Sequence, residues 1–299
     1  MGCKMKTFNW FPGHMKKTFE EIKNNLSLVD IVLVILDSRI PISSLNFQIF
    51  SLLNKRRKPI LILLNKFSLT DPCKINNFIA NYHKKKIPIL TIDAIKSPKI
   101  QEIYHKALTT IKAQKPFFKS RRIITNTPNI KAMILGTPNV GKSTLINSFA
   151  QKKVLKTADL AGTTKRIQWV NIDKPNIQFL DTPGILWHNF FDPRISLALG
   201  LAGCFKDSIL PLEKLGIHAL YYLKKHYCDN LKKRFHLHPS DLSKANLVDI
   251  IGQKRNIYNK NQKIDQYRVY QMLLKETRQG CLGKLNFDLD VLSLFEKLL

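Results

Sequence analysis

Ala132-Met133-Ile134-Leu135-Gly136-Thr137-Pro138-Asn139-Val140-Gly141-Lys142-Ser143-Thr144 decides the fold class of this 299-residue chain. A short apolar run, Ala132–Leu135, reads as a buried strand. It ends in G-x-x-x-x-G-K-S, and Lys142–Ala150 continues as a helical pattern. Strand, glycine-rich loop and helix in that order form a phosphate cradle. The glycines let backbone N–H groups close around phosphates, and the helix N-terminus adds a favourable dipole. Val140, Gly141, Lys142, Ser143 and Thr144 are therefore expected at the phosphates. Lys142 should reach the β- and γ-phosphates, and Ser143 should bind Mg²⁺.

Outward from this loop, β-branched runs recur at Ile31–Leu36, Ile60–Leu64 and Ile87–Ile92, which read as strands buried on both faces. Ile177–Leu180 is another, expected to pair with Ile167–Ile172 in a hairpin-like excursion. Helical patterns lie between them at Lys16–Leu28, Leu45–Lys55, Pro72–Lys85 and Lys99–Ala113. This alternation predicts an α/β domain with a mostly parallel sheet. Past about residue 190 the pattern turns helical, at Ser196–Lys206, Pro211–His236, Leu242–Ile251 and Ile264–Thr277. The expected division is a nucleotide-binding domain over 1–190 and a small helical domain over 191–299.

Sites in such sheets sit at the carboxyl ends of strands. Asp181-Thr182-Pro183-Gly184 follows Ile177–Leu180, 45 residues beyond the start of the phosphate loop. Asp181 is expected in the Mg²⁺ shell, and the Gly184 amide is placed to sense a γ-phosphate. Between the two motifs, Thr163-Thr164 offers a hydroxyl for Mg²⁺, and Thr164 is preferred. Asn65-Lys66-Phe67-Ser68 ends the second strand, where guanine-specific NTPases carry N-K-x-D: Asn reads the base, Lys supports the pocket and Asp accepts hydrogen bonds from guanine. Asp93-Ala94, after the third strand, takes the place of the short loop whose amide meets the guanine oxygen. These base-reading motifs precede the phosphate loop, so the domain is expected to be a circularly permuted P-loop GTPase. Permutation preserves packing where the original chain ends lay close together.

Charge restricts the partners. Lys and Arg number 49 against 21 acidic residues, a formal net charge of +28. Residues 1–190 hold 31 basic and 10 acidic residues, and 191–299 hold 18 and 11. Lys55-Arg56-Arg57-Lys58, Lys84-Lys85-Lys86 and Lys119-Ser120-Arg121-Arg122 are dense runs. Such clustering favours a polyanion, most simply RNA. The five cysteines, at 3, 73, 204, 228 and 281, form no C-x-x-C pair and read as free thiols of a reducing compartment. No apolar run reaches the length of a membrane span, and nothing near the N-terminus resembles a secretory signal, so a cytoplasmic location is expected.

Trp10-Phe11-Pro12-Gly13-His14-Met15, Asp37-Ser38-Arg39-Ile40-Pro41, the G-x-P-N-V-G-K-S-T loop and D-T-P-G-I-L-W together resemble the circularly permuted ribosome biogenesis GTPase A family. The similarity runs from about residue 8 to Lys254-Arg255 and more loosely onward. It implies GTP hydrolysis at a late step of large (50S) subunit assembly, with a precursor particle and its rRNA as partners and no role for DNA. The helical domain would contact rRNA. Ordinary small GTPases orient water with a glutamine just after D-x-x-G; Ile185 and Leu186 stand there instead. The resemblance offers His14 as the water-positioning group, against a structural or RNA-contacting role. It also offers Asn139 as a K⁺ ligand near the phosphates, against a role in shaping the loop. Trp10 and Phe11 read as apolar anchors, and Asp37 and Arg39 either pair or line the site.

One position departs from the family pattern. Ser68 stands where N-K-x-D has its carboxylate. A charged acceptor is typically worth about 1.5–3 kcal/mol against about 0.5–1.5 for a neutral bond. Guanine discrimination should then fall by roughly tenfold or more unless nearby Asp71 compensates. A second reading follows: an RNA-binding assembly factor with weakened guanine specificity and an impaired nucleotide switch. A third reading, a permuted GTPase serving the small subunit, is disfavoured: such proteins usually pair the domain with an OB-fold or a zinc site, and the sequence shows no Cys/His cluster.

Overall fold

The computed structural model describes residues 13–114, 129–155, 167–186, 192–204 and 211–294, with the side chains of 13–15 outside that description. Six strands form one sheet: β1 (Ile31–Asp37), β2 (Ile60–Asn65), β3 (Ile89–Thr91), β4 (Ile130–Leu135), β5 (Gln168–Ile172) and β6 (Ile177–Asp181). Their order is β3-β2-β1-β4-β6-β5. All neighbours are parallel except the β5–β6 hairpin. The register pairs Asp37 with Asn65 and Ile134 with Asp181, so the chemically distinctive residues gather at one edge.

Alternation of side chains along each strand splits the core in two. Ile31, Leu33, Ile35, Leu61, Leu63 and Ile134 face α4 (Ile100–Gln114) and α5 (Lys142–Ala150). Val32, Val34, Leu36, Ile62, Leu64 and Met133 face the other way, toward α1 (Gly13–Asn25), α2 (Phe47–Lys55) and α3 (Pro72–Lys84). That second cluster continues without a break into α6 (Pro193–Leu201), α7 (Leu212–His226), α8 (Cys228–Phe235), α9 (Leu247–Lys254) and α10 (Gln266–Gln279). The helical region therefore shares a core with the sheet across residue 190. Each fully buried aliphatic or aromatic side chain contributes about 1.5–3 kcal/mol to that association.

Local chemistry sets the helix boundaries. Asp71 accepts from the Cys73 and Lys74 amides, with Pro72 behind it in the first turn. Asn46 and Asp192 cap α2 and α6 in the same way. The third strand is shorter than expected, three residues over Ile89–Thr91. The single helix expected over Pro211–His236 is two. Tyr227, at φ −142° and ψ 41°, breaks it, and its hydroxyl accepts from the Asn286 amide at 2.8 Å. The helix expected over Leu242–Ile251 is also displaced: a 3₁₀ turn spans Pro239–Ser243, Lys244 is extended, and α9 begins at Leu247.

The C-terminal segment returns to the loop after β1. Buried Asp288 accepts from the amides of Ile42 and Ser43 and from Ser43 Oγ. The Phe287 amide donates to Arg39 O. Lys55-Arg56-Arg57 and Lys84-Lys85-Lys86 are exposed on the turns that feed β2 and β3, at the sheet edge opposite the site. Among the described residues no helix is long and apolar enough to cross a membrane.

Candidate active site

The loop between β4 and α5 is shaped by residues that tolerate a left-handed backbone. Asn139 has φ +60° and Gly141 φ +102°. A Cβ on Gly141 would lie 2.2 Å from Asn65 Nδ2, so only glycine fits there. Lys142, first residue of α5, is buried and donates from Nζ to the Gly136 and Thr137 carbonyls, both at 3.0 Å. Burial pushes its ammonium down to about 8, opposed by the negative charge of Asp181. The lysine is thus held as a poorly solvated cation at the loop, which an anion would stabilise.

The segment after β6 lies directly on this loop. Thr182 Oγ1 donates to Ile134 O at 2.7 Å, and the Ile185 amide donates to Gly136 O at 3.3 Å. A Cβ on Gly184 would meet Pro138 Cα at 2.7 Å. Ile185 and Leu186 point into the core and are buried, so neither side chain can orient water. Asn139 Nδ2 donates to Gly203 O at 2.8 Å, tying the loop to the residues after α6.

At the other end of the site, Asn65 is a bridge. Its Nδ2 donates to Val140 O at 2.7 Å, and its Oδ1 accepts from the Ala94 amide at 2.8 Å. The Ala94 amide, expected to face a guanine oxygen, is therefore directed at Asn65 and orients it. Ser148 Oγ of α5 donates to Ala94 O at 2.7 Å and fixes the same loop from below. Lys66 has φ +59°, and its Nζ lies 3.0 Å from Asp37 Oδ2. Phe67 begins a 3₁₀ turn, Phe67–Leu69, after it. Ser68 Oγ donates to Asp93 Oδ2 at 2.5 Å. Asp71, the sequence candidate to compensate for Ser68, spends its carboxylate as the cap of α3.

Asp37 and Arg39 pair rather than line the phosphates. Arg39 Nε and Nη2 grip both Asp37 oxygens at 3.0 and 2.8 Å, and its remaining donors reach Arg278 O and Ala202 O. Burial would raise the Asp37 carboxyl, but the cations of Arg39 and Lys66 hold it far below the ordinary range. The D-S-R-I-P segment is therefore a junction between the sheet and the helical region.

Comparison with known proteins places this geometry. Residues 131–219 match the family model described as "50S ribosome-binding GTPase". Ribosome biogenesis GTPase A of Bacillus cereus is 37% identical over 281 residues, 93% of this chain and 93% of that protein. The protein of the same name from Bacillus pumilus is 36% identical, over 94% and 98% of the two chains. This chain belongs to the ribosome biogenesis GTPase A family. The fold agrees: a crystal structure of GNP-bound YlqF from T. maritima superposes with a TM-score of 0.59 at 23% identity, covering 91% of this chain and 97% of that one.

As a member of this family of GTPases, the chain brings Lys142, Asp181, Gly184 and Asn65 to one sheet edge: Asn65 and Asp181 end β2 and β6, and Lys142 and Gly184 lie beyond β4 and β6. Thr163 and Thr164 lie outside the described residues, as do Trp10, Phe11 and the His14 side chain. From the sequence Cys204 reads only as one of the free thiols. It is buried with Sγ 3.8 Å from Thr137 Oγ1, and burial pushes its thiol up to about 11. A single cysteine after an apolar helix carries no local signal of that position.

Proposed function

We propose that this chain binds Mg²⁺–GTP, docks in that state on a precursor of the large ribosomal subunit in the cytoplasm, and leaves after hydrolysis to GDP. The observation that carries the reading is the meeting of a buried cationic Lys142, Asp181 and the Asn65 bridge at one edge of the sheet. Phosphate binding and base reading become parts of one hydrogen-bonded unit. The name "ribosome biogenesis GTPase A" and the excess of 28 positive charges support a ribosomal particle as partner.

Within this reading Lys142 and the amides of Val140 to Thr144 bind the phosphates, and the Gly184 amide senses the γ-phosphate. Ser143 at the start of α5 and buried Asp181 supply hydroxyl and carboxylate oxygens, the hard donors Mg²⁺ selects. That set fits the ion, whose chemistry when bound is to neutralise charge on the transferring phosphoryl group. Thr164 would complete the set. His14 stands at the start of α1 and is assigned to position water. K⁺ is assigned to Asn139, in the place an arginine finger serves elsewhere. The exposed basic turns at the opposite edge, with residues 191–299, form the rRNA-facing surface.

Co-sedimentation with ribosomal particles tests this. A non-hydrolysable GTP analogue should retain the protein on large-subunit precursors, GDP should release it, and particles should accelerate a slow intrinsic turnover. Equal sedimentation in all nucleotide states would instead favour the RNA-binding factor with an impaired switch. Turnover equal in K⁺ and Na⁺ removes the K⁺ assignment.

A further inference from the structure

The base-reading end has an acidic group that the motif alone does not assign. Ser68 leaves N-K-x-D without its carboxylate, yet its hydroxyl donates at 2.5 Å to Oδ2 of Asp93, a residue 25 positions later. Asp93 is fixed on every side. Its Oδ1 accepts from the amides of Ile95 and Lys96 at 3.1 and 3.0 Å. Its backbone exchanges two hydrogen bonds with Ser97, at 3.1 and 2.8 Å. The neighbouring Ala94 is clamped between Asn65 Oδ1 and Ser148 Oγ. The pair is partly exposed, as a ligand-facing group must be, and lies one residue from the amide that holds Asn65.

We propose that guanine is read by a hydroxyl–carboxylate pair, Ser68 Oγ and Asp93 Oδ2, in place of the single carboxylate of N-K-x-D. This rests on the reading that the chain binds GTP. Two acceptor oxygens hydrogen-bonded to each other have nearly the spacing of the two oxygens of one carboxylate. Guanine presents adjacent N1–H and N2–H donors on its Watson–Crick edge. Oδ2 accepts from one, and the serine oxygen accepts from the other while its own O–H stays directed at Asp93 Oδ2. Adenine offers a bare N1 acceptor at that place, which faces the carboxylate without a proton and is repelled.

Other causes of the pairing are weaker. A purely structural Asp93 needs only its amide contacts from Ile95 and Lys96, which occupy Oδ1; the Ser68 bond reaches across from the neighbouring base-reading loop. The hydrogen bonds from Ser68, Ile95 and Lys96 hold the carboxyl below its ordinary value against the opposing effect of burial, so it is ionised at neutral pH. The charged acceptor absent from position 68 is therefore still present, supplied by another strand end.

Binding of fluorescent GDP, xanthosine diphosphate and ADP to the full chain tests the pair. The wild type should prefer GDP. Asp93→Asn should weaken GDP by about tenfold or more. It should also tighten xanthosine diphosphate, because an amide nitrogen can donate to the extra C2 carbonyl. Ser68→Ala should weaken GDP by a few fold. The exchange Ser68→Asp with Asp93→Ser should restore GDP to near the wild-type affinity. Asp93→Asn with unchanged GDP affinity, or loss of both bases that the exchange does not rescue, overturns the proposal while the GTP reading stands. A wild type that binds no guanine nucleotide overturns both.

Discussion

The phosphate half and the base-reading half of this site are built from different material. The phosphate half is mostly backbone: Gly136 to Gly141, their amides, and one lysine held by two of their carbonyls. The base half is mostly side chain: Asn65, Ser68 and Asp93, drawn from two strand ends. A backbone site needs particular residues at particular spacings, because only glycine accepts φ +102° with a side chain 2.2 Å from its missing Cβ. A side-chain site needs only an oxygen in the right place, and residues on neighbouring loops can exchange that duty. The first kind stays fixed as a sequence motif, and the second can drift while its chemistry is kept.

The largest effect should come from Lys142→Ala. Removing a preorganised cation from the phosphates typically costs on the order of 10²–10³ in turnover. GTP and ATP should suffer alike, because the lysine does not touch the base. A variant that loses GTP binding while keeping ATP binding would contradict the division between the halves. Initial hydrolysis rates with both nucleotides provide the measurement.

Asn65→Ala strikes the link between the halves. It leaves the Val140 carbonyl and the Ala94 amide without the side chain that pairs them, at about 1–3 kcal/mol for each buried group. Stability in urea should fall accordingly, and GTP affinity should fall more than ATP affinity. Unfolding curves read beside nucleotide titrations separate the two effects. Unchanged stability would mean that water replaces both bonds.

A smaller effect separates the halves by pH. Lys142 titrates at about 8 in the ligand-free protein, whereas Asp93 is already ionised well below neutrality. As pH rises through about 8 the empty cradle loses its proton, and phosphate binding must take one up. GTP affinity should therefore fall above pH 8, by at most about tenfold per pH unit for one proton. Ligand-free stability should move the other way. The folded pKa lies below the ordinary lysine value of 10.5, so the cost of burying that charge is present below pH 8 and is relieved as pH rises toward 10.5. The GTP-to-ATP ratio should stay flat across the same window. Isothermal titration in buffers of different ionisation enthalpy reads the proton uptake directly.

These contrasts explain what could be read from the chain beforehand. The parallel sheet, the order of its motifs and the edge where they meet follow from alternating apolar runs and from Gly-Lys spacing, both local signals. The break at Tyr227 was hidden because residues 211–236 keep helical spacing throughout. The break is set by a hydroxyl that reaches Asn286, 59 positions away. Asp288 was equally silent, a single carboxylate that becomes the anchor of residues 42 and 43 only when the chain folds back. In the sequence Ser68 reads as a loss for the same reason: its partner is 25 residues distant and no spacing rule joins them.

Asp71 supplies the smallest and most pointed check on the base half. From the sequence it was the natural substitute for the missing carboxylate, three positions beyond Ser68. In the fold its Oδ1 accepts from the Cys73 and Lys74 amides at 2.9 and 3.3 Å, as an N-cap does. Asp71→Ala should cost about 0.5–2 kcal/mol of stability, the usual range for a lost cap. It should leave the preference for GDP over ADP where it was. If selectivity falls while the melting temperature holds, the carboxylate that reads guanine is on the α3 cap and the Ser68–Asp93 pair is only a brace. If the melting temperature falls and selectivity holds, position 71 is structural, and the duty of the missing N-K-x-D carboxylate is left to Asp93 in the loop after β3.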